Sequence, residues 1–308
     1  MLGIIIVNYK TNQRLIKYIN EELVKVQYPH KIVIVNNSCT TESNEEIAAG
    51  CGAVLVEDRD SIDKSAGIYL LGETENHGYA RGNNIGARFM LKHFPETKYF
   101  CFSNCDLVFQ DNDVAERLID KLEEDPKIGL IGPRIVGLDG KDQSPRVMKN
   151  VWQLHIIPKL FYPAFPPRVR MKINNFTIYN AYSGEYDYLN GSFLIVSVSY
   201  FSEVEMFDPN TFIYAEEPIL ALKMRNAGYK VYFYSEVSVL HEHGVSVKQN
   251  NFSDFSAKCS YESNRYYQKT YKKINHIELF LYDLSYWIYF NIWSRLFSFI
   301  KSYILRSS

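Results

Sequence analysis

Strand-like and helix-like hydrophobic patterns alternate through the first third of this chain, and this alternation limits the fold more than any other feature. Helical patterns begin near Asn12 and Glu42, between apolar runs of strand length. Strands that alternate with helices in this way form βαβ units and a parallel sheet. We therefore predict an α/β fold with a mostly parallel sheet flanked by helices. The strand-like runs lie at 3–8, 31–36, 53–56 and 98–102.

The first two predicted strands end in polar side chains. Asn8 and Tyr9 follow the first apolar run, and Asn36 closes the second. Ligands of open α/β sheets bind outside the carboxyl ends of the strands. These residues are therefore candidates for contact with a nucleotide base, although asparagine is also an ordinary turn residue.

A glycine-rich segment, ENHGYARGNNIG, opens a helical pattern at 75–86. Backbone N–H groups at a helix N-terminus, together with the Arg81 guanidinium, can hold phosphate oxygens. The segment has neither the GK[ST] of a P-loop nor the spacing of GxGxxG. Its candidate donor-binding residues are Asn76, Gly78, Arg81 and Asn84.

An aromatic strand ends abruptly in polar residues at 99–106, YFCFSNCD. Asp106 supplies the one carboxylate in this polar segment, and Asn104, two residues before it, is a further candidate donor-binding residue. A divalent cation that bridges a diphosphate needs an oxygen ligand of this kind. We treat Asp106 as a candidate metal ligand, and the alternative is an ordinary turn residue.

Further along the chain, an acidic pair and a histidine mark the ends of short elements. Glu216 and Glu217 open a helical pattern, where acidic side chains complement the helix dipole. Two strand-like runs follow at 230–234 and 237–240, and the second releases His241 at its end. We expect the two carboxylates and the imidazole to share one crevice at the carboxyl edge of the sheet.

Two stretches depart from the α/β pattern. The segment 158–188 combines clustered prolines, basic residues and tyrosines without a period, which predicts an irregular acceptor-side insertion. From about residue 255 the chain becomes helical and aromatic. We predict a catalytic domain at 1–247 and a C-terminal helical, aromatic-rich segment at 248–308.

The tail at 276–308 is apolar, but charged residues such as Asp283, Arg295 and Lys301 interrupt it. No charge-free run reaches the ~18 to 20 residues that a transmembrane helix needs. Its tryptophans, tyrosines and basic residues suit a helix lying in a membrane interface, as a peripheral contact. The alternative is a helix packed on the domain or on a second subunit of a homodimer.

Composition narrows the range of partners and compartments. A net charge of −1 argues against a protein that binds nucleic acid through a broad basic field. Five cysteines form no CxxC pair, which argues against a disulfide framework or a zinc knuckle. The N-terminus has no signal-peptide pattern, so we expect a cytoplasmic protein.

Taken in order, these motifs resemble a bacterial family 2 glycosyltransferase of the GT-A fold, in the rhamnosyltransferase-like group that builds surface polysaccharides. The resemblance covers residues 2–247. It rests on the segments IIIVNYK, VIVNNS, ENHGYARGNNIG, FSNCD, IGPRI with the later DG, YLNGSFLIV, FIYAEEPILALKMRNAGYKV and VLHEHGVS.

The resemblance implies a role for each matching residue. Asn8, Tyr9 and Asn36 would line the nucleotide pocket. Asp106 would be the carboxylate of the family's DxD-type metal motif, Glu217 would stand at the catalytic-base position of its ED-type motif, and His241 would be a further metal or diphosphate contact.

Three positions depart from the family pattern. Asn36 replaces the usual Asp, so its carbonyl oxygen can accept a pyrimidine N–H only without charge assistance. Asn104 replaces the first Asp of DxD. The usual ED is EE here, and the longer Glu217 shifts its carboxylate by about 1.5 Å where a misplacement of about 1 Å can cost ~100-fold. Which of the two glutamates is the base stays open.

The implied activity is that of a metal-dependent inverting glycosyltransferase, using Mn²⁺ or Mg²⁺ and a nucleotide-sugar donor. The implied acceptor is a saccharide or a polyprenyl-linked saccharide, in surface polysaccharide or capsule synthesis at the cytoplasmic face of the bacterial membrane. A nucleotidyltransferase is a rival reading, but the N-terminal IIIVNYKTNQR lacks the glycines that it requires. A non-catalytic sugar-binding or scaffold protein is a second rival, and it would be favoured by loss of Asp106 and Glu217, which are both present.

Overall fold

A computed structural model describes residues 1–166, 168–169, 176–242 and 253–296 of the chain. The predicted boundary between 247 and 248 lies outside these ranges and stays a prediction. The predicted tail at 276–308 is described as far as Leu296, so Lys301 also lies outside the described residues.

The strands of the described residues form one sheet, in the order β3-β4-β2-β1-β5-β9-β7-β10-β6, and β8 pairs separately with β10. β1 pairs in parallel with both β2 and β5, and β2 pairs in parallel with β4. This confirms the predicted mostly parallel sheet. The strands are β1 (Leu2–Asn8), β2 (His30–Asn36), β3 (Val54–Leu55), β4 (Ile68–Gly72), β5 (Tyr99–Ser103), β6 (Leu107–Phe109), β7 (Ile128–Gly137), β8 (Gly184–Glu185), β9 (Phe193–Ser197) and β10 (Lys230–His241).

Helices flank the sheet, and their ends follow local chemistry. The Thr40 hydroxyl caps α2 by accepting a hydrogen bond from the backbone N–H of Ser43 at 3.2 Å, which satisfies a donor that the helix leaves orphaned. The helices are α1 (Asn12–Glu21), α2 (Thr41–Cys51), α3 (Gly78–His93), α4 (Val114–Glu124), α5 (Ile157–Leu160), α6 (Val198–Glu203), α7 (Glu216–Asn226), α8 (Ser253–Thr270) and α9 (His276–Ile288).

The strand predictions need correction in two respects. β4, β6, β7, β8 and β9 were not predicted, although the IYLLG sequence of β4 is apolar and pairs with β2. The two runs predicted at 230–240 form a single strand, β10, whose register against β7 shifts between Tyr234 and Ser238. The strand continues across this bulge because side chains accept the backbone N–H groups there: Ser183 Oγ accepts from Ser235, and Asp111 Oδ2 from Ser238.

The described residues divide into two compact units, and the division falls inside α8, after Cys259. The first unit comprises 1–147 and 177–259 and contains the whole sheet. Its core is apolar, with fully buried β1 residues such as Ile4 and Ile6 packed among residues of the neighbouring helices and strands. Burial on both faces is typical of a parallel sheet covered by helices.

The second unit combines 148–176 with the chain from 260 onward. Its described core is aromatic, with Tyr282 and Tyr286 packed against Val151 and Ile156. The segment predicted to be irregular, 158–188, therefore begins inside the helix Ile157–Leu160 and continues into a helical turn at Tyr162–Ala164, while 167 and 170–175 lie outside the described residues.

Two basic side chains contact this aromatic core. The Lys159 ammonium sits 4.1 Å from the centre of the Tyr286 ring, and burial lowers the pKa of Lys159 to about 8. Burial, with a smaller contribution from Lys159, also lowers the pKa of His155 well below its usual range. The His155 imidazole contacts the Tyr286 hydroxyl at 3.1 Å, so the core is specified by polar contacts as well as by apolar area.

Gly78, at the start of α3, lies where no other residue fits. Its φ is +73°, and a Cβ atom there would overlap the carbonyl oxygen of Phe212. Gly140 has a similar φ of +74° but open space around it. Left-handed backbone costs a non-glycine residue about 1–2 kcal/mol, so Gly140→Ala should lower the free energy of unfolding by about that amount.

Gly78→Ala should cost more than Gly140→Ala because it adds the clash with Phe212. Urea denaturation of the two variants and the wild type measures this difference directly. Equal losses in the two variants would show that the close approach of Phe212 to Gly78 does not contribute.

Candidate active site

An open cleft of about 220 Å³ lies in the first unit, at the carboxyl ends of β1, β2 and β5. Parallel pairing brings these ends together: Asn8 is the register partner of Asn36, and Ile5 is the partner of Phe102. A cleft therefore lies at the edge of the sheet that the sequence predicted, but Glu216, Glu217 and His241, which were expected to share it, are not among its lining residues. The lining residues are Val7, Tyr9, Thr11, Asn37, Asn76, Gly78, Tyr79, Asn104, Cys105, Asp106, Phe212, Ile213 and Phe255.

Asp106 and His241 meet at the rim of this cleft, although they are far apart in sequence. Leu107, which opens β6, pairs with His241 at the end of β10, and the Asp106 carbonyl oxygen accepts the Glu242 N–H at 2.9 Å. The imidazole Nε2 then lies 3.2 Å from Asp106 Oδ1. The structure thus brings the two predicted metal contacts together.

The second ring nitrogen of His241 lies 2.8 Å from Gln143 Oε1. An amide oxygen can only accept, so this contact assigns the proton of a neutral imidazole to Nδ1. Nε2 then carries a lone pair facing a carboxylate oxygen. Two acceptors 3.2 Å apart require a proton or a cation between them.

These two side chains fit a divalent cation that is shared with a substrate. Within the described ranges, no cluster of three or more His, Cys, Asp or Glu side chains is placed to hold a metal ion by itself. Mg²⁺ is usually bound through one or two carboxylates together with substrate phosphates and water. A histidine that donates its other ring N–H to an oxygen is also the usual form of a metal-ligating histidine.

A basic residue lies near the same carboxylate. Arg14, on α1, places its guanidinium nitrogen 3.8 Å from Asp106 Oδ2. Sequence analysis did not select Arg14, because nothing in the local pattern of α1 indicates what its side chain faces.

The acidic pair opens α7, as the sequence predicted. The backbone reaches it through two left-handed residues, Tyr214 with φ 73° and Ala215 with φ 66°. A left-handed backbone conformation costs a non-glycine residue about 1–3 kcal/mol, so it persists only where contacts with the surrounding structure stabilise it. The two left-handed residues turn the chain so that Glu216 is buried, with 6% of its surface exposed.

The two carboxyl groups have different environments. Burial raises the pKa of Glu216 well above its usual range, and the charge of Glu217 raises it further. Glu216 Oε2 has no hydrogen-bond partner among the described residues. Glu217 Oε1 instead accepts the backbone N–H of Gly191 at 3.3 Å. The environment of Glu216 therefore favours the neutral form of its carboxyl group.

Gly191 and Tyr79 connect the acidic pair with the cleft. A Cβ atom on Gly191 would lie 2.7 Å from Glu217 Cγ, so the glycine allows the close approach of that side chain. The Tyr79 hydroxyl donates to the Gly191 carbonyl at 2.8 Å, and Tyr79 also lines the cleft. Burial raises the pKa of Tyr79, and the charges of Glu216 and Glu217 raise it further, as expected for nearby groups.

The predicted donor-binding residues fall into two groups. Tyr9, Asn76, Gly78 and Asn104 line the cleft. Their positions allow a ligand contact, and their roles remain predictions.

Asn8, Asn36, Arg81 and Asn84 instead use their side chains within the protein. Asn8 Nδ2 donates to Asn36 Oδ1 at 2.9 Å, and Asn36 Nδ2 donates to Ser43 and Asn44. These contacts fix the ends of β1 and β2 against each other. Arg81 Nε donates to the Pro209 carbonyl, and the Asn84 amide pairs with the backbone of Phe207.

Asn37 was missed by the sequence analysis, although it directly follows Asn36. It lines the cleft, and its Nδ2 donates to the Gly78 carbonyl at 3.2 Å. Its Oδ1 is buried without a hydrogen-bond partner among the described residues. A buried acceptor without a partner at a cleft is a candidate ligand contact. Gln143, which orients His241, carried no signal in the sequence.

Comparison with known proteins agrees with this geometry. Residues 3–203 match Glycosyl transferase family 2. The chain belongs to this family. It is similar to the low-salt glycan biosynthesis hexosyltransferase Agl10 of Haloferax volcanii, with 24% identity over 250 residues that make up 79% of this chain and 68% of the relative. Family and relative support a sugar-transferring function.

Two solved glycosyltransferase structures share the fold of this family 2 chain. The mannosyltransferase PcManGT from Pyrobaculum calidifontis, in complex with GDP-Man and Mn²⁺, has a TM-score of 0.55 and 14% identity, covering 94% of this chain and 71% of its own. GalNAc-T7 with UDP, GalNAc and Mn²⁺ has a TM-score of 0.54 and 14% identity, covering 79% of this chain and 44% of its own. They confirm the predicted GT-A-type fold class.

The raised pKa of Glu216 has a measurable consequence for stability. An acid whose folded pKa is raised contributes its full stability only below the unfolded pKa, about 4.3. That stability is lost as pH rises toward the folded pKa. Glu216→Gln removes the ionisation, so its melting temperature relative to wild type should rise steadily as the pH is raised above about 4.

Calorimetric melting across this pH range is the measurement, and Glu45→Gln controls for the loss of one charge, since Glu45 is exposed on α2. If Glu216→Gln and wild type gave parallel curves, Glu216 would not be held protonated by its surroundings.

Proposed function

We propose that this family 2 protein is an inverting glycosyltransferase that transfers a sugar from a nucleotide-diphosphate donor to a hydroxyl of a saccharide or lipid-linked saccharide. The proposal rests on the arrangement of side chains at one cleft. The Asp106 carboxylate lines this cleft and faces the His241 imidazole, and the acidic pair lies beside the Tyr79 side chain that also lines it.

Asp106 and His241 are the residues we propose to hold a divalent cation, Mn²⁺ or Mg²⁺, together with the donor diphosphate. When bound, such an ion neutralises the charge that develops on the leaving diphosphate. The two solved neighbours support this proposal, because both are described with Mn²⁺ and with a nucleotide or nucleotide-sugar. The Arg14 guanidinium, 3.8 Å from Asp106, would add positive charge at the same place.

The nucleotide is proposed to lie along the strand ends, against Tyr9, Asn37, Asn76 and Asn104. We assign to Asn37 the acceptor role that the family resemblance implies for Asn36, because Asn37 Oδ1 lies at the cleft without a partner among the described residues. Asn8 and Asn36 would support this wall from behind through their mutual hydrogen bond.

Glu217 is the residue we propose as the general base. Its carboxylate takes the proton of the acceptor hydroxyl, whose oxygen forms a bond to the anomeric carbon from the face opposite the donor diphosphate. The bond between that carbon and the diphosphate oxygen breaks, and its electron pair leaves with the diphosphate. A single displacement of this kind inverts the anomeric configuration.

Glu216 is assigned a positioning role. Burial favours the neutral form of its carboxyl group. With Glu216 neutral, we assign proton acceptance to Glu217, because two adjacent negative charges would repel each other.

The product is proposed to be a cell-surface polysaccharide such as a capsule, made by a bacterial enzyme of the rhamnosyltransferase-like group at the cytoplasmic face of the membrane. The motifs ENHGYARGNNIG and FSNCD support that group. A hexose is the sugar class supported by the Haloferax volcanii relative, which is a glycan biosynthesis hexosyltransferase.

Two conservative variants separate the roles within the acidic pair. Glu217→Gln keeps size and shape but cannot accept a proton, and loss of a general base typically costs ~10² to 10⁴ in rate. Donor binding should persist while transfer collapses. Glu216→Gln mimics the protonated side chain and should stay within about tenfold of wild type, below the loss expected for a base.

Steady-state transfer with matched donor and acceptor measures both variants, and the anomeric configuration of the product tests inversion. A crippled Glu216→Gln with a near-normal Glu217→Gln would move the base to Glu216. Retained transfer in both variants would refute general-base catalysis by this pair.

A further inference from the structure

The last described helix, α9, exposes several large apolar side chains on its surface. Ile277, Phe280 and Trp287 are 72%, 64% and 58% exposed, and Leu284 between them is half-buried. Spacings of three and four residues place all four on one side of a helix. We call these four residues the outer face.

The opposite side of α9 carries the hydroxyl groups. Tyr282, Ser285 and Tyr286 are buried, and Tyr282 donates to the Tyr261 carbonyl at 3.1 Å. A surface helix of a globular protein normally buries its apolar stripe and exposes its polar one. In α9 the hydroxyl groups of the buried residues make hydrogen bonds inside the unit, while large apolar side chains are exposed on its surface.

Further exposed apolar residues lie in the same unit. Trp152, Ile157, Phe161, Ile292 and Leu296 are between 38% and 56% exposed. All three tryptophans of the chain, at 152, 287 and 293, fall within this unit. Within the described ranges, no helix combines the length and the hydropathy needed to cross a bilayer. The surface therefore has the composition of an interfacial element.

Charge distinguishes this unit from the rest of the chain. The sequence of the unit contains twelve lysines and arginines and three acidic residues, a net charge of +9, whereas the remaining 230 residues carry −10. Lys269, Lys272, Lys273 and Arg295, which flank α9 in sequence, are exposed.

Two of the three acids in the unit are occupied by internal contacts. Glu278 forms the capping box of α9 with Asn275. Asp283 makes two hydrogen bonds with Arg265, at 2.7 and 2.8 Å. These acids contribute little to neutralising the exposed lysines around α9.

We infer that the outer face lies in the interfacial region of an anionic lipid bilayer, with the exposed basic side chains that flank α9 in sequence on the headgroups. Two copies of the unit facing each other would bring charges of +9 together, and like charge opposes such association. Anionic lipids supply the complementary charge, and the acyl boundary accepts Ile, Phe, Leu and Trp side chains. This inference does not depend on the chemistry of the cleft.

Vesicle flotation of the full chain tests the inference. The protein should float with vesicles of equal parts phosphatidylglycerol and phosphatidylcholine, and much less with phosphatidylcholine alone. Phe280→Ser with Trp287→Ser should lower the partition coefficient by about tenfold or more, since each side chain loses its apolar contact with the bilayer. Charge reversal at Lys269, Lys272 and Lys273 should abolish the preference for anionic lipid.

Val24→Ser with Leu138→Ser is the matched control, because these residues of the first unit are 64% and 63% exposed. It should float like the wild type. Equal flotation of wild type and Phe280→Ser/Trp287→Ser would overturn the inference, as would absence of flotation with both vesicles. A dimer in sedimentation velocity that the double variant dissociates, without lipid binding, would make the outer face a subunit interface instead.

Discussion

The parallel pairing of β1 with β2 and β5 is the constraint on which the site depends. The register carries the ends of three strands to one edge of the sheet, so residues distant in sequence can face one cleft. The buried hydrogen bond between Asn8 and Asn36 fixes that edge from within. A buried amide network of this kind holds its members in one arrangement because leaving a polar group unpaired is costly.

Two further contacts build chemistry onto this edge. The pairing of β6 with the end of β10 places His241 against Asp106, and Gln143 orients the imidazole. On the acidic side, the left-handed turn at Tyr214 and Ala215 leads into Glu216 and Glu217. The result is one buried carboxyl and one carboxylate that faces the Gly191 backbone. A proton acceptor beside a neutral acid avoids the repulsion of two adjacent charges.

Local sequence patterns were sufficient to predict the fold class, the strand ends and the acidic helix start. They did not resolve single-residue choices. Asn36 and Asn37 are adjacent, but Asn36 closes β2 and pairs with Asn8, whereas Asn37 lies in the turn after the strand and lines the cleft. Arg81 and Asn84 are bound to the backbone of Pro209 and Phe207, which no local pattern indicates. Gln143 and Arg14 reach the site only through the tertiary fold.

The central claim is that Asp106 and His241 hold a divalent cation on a donor diphosphate. Thermal melting with UDP, GDP or dTDP, with and without Mn²⁺, tests it, because a ligand that binds only the native state stabilises it by about 2.7 kcal/mol at 100 times its Kd. We predict a Mn²⁺-dependent shift with at least one nucleotide. The shift should be lost in Asp106→Asn, weakened in His241→Ala and kept in the control Asp139→Asn, since Asp139 is an exposed residue beyond the end of β7. An unchanged Mn²⁺-dependent shift in Asp106→Asn would contradict the account.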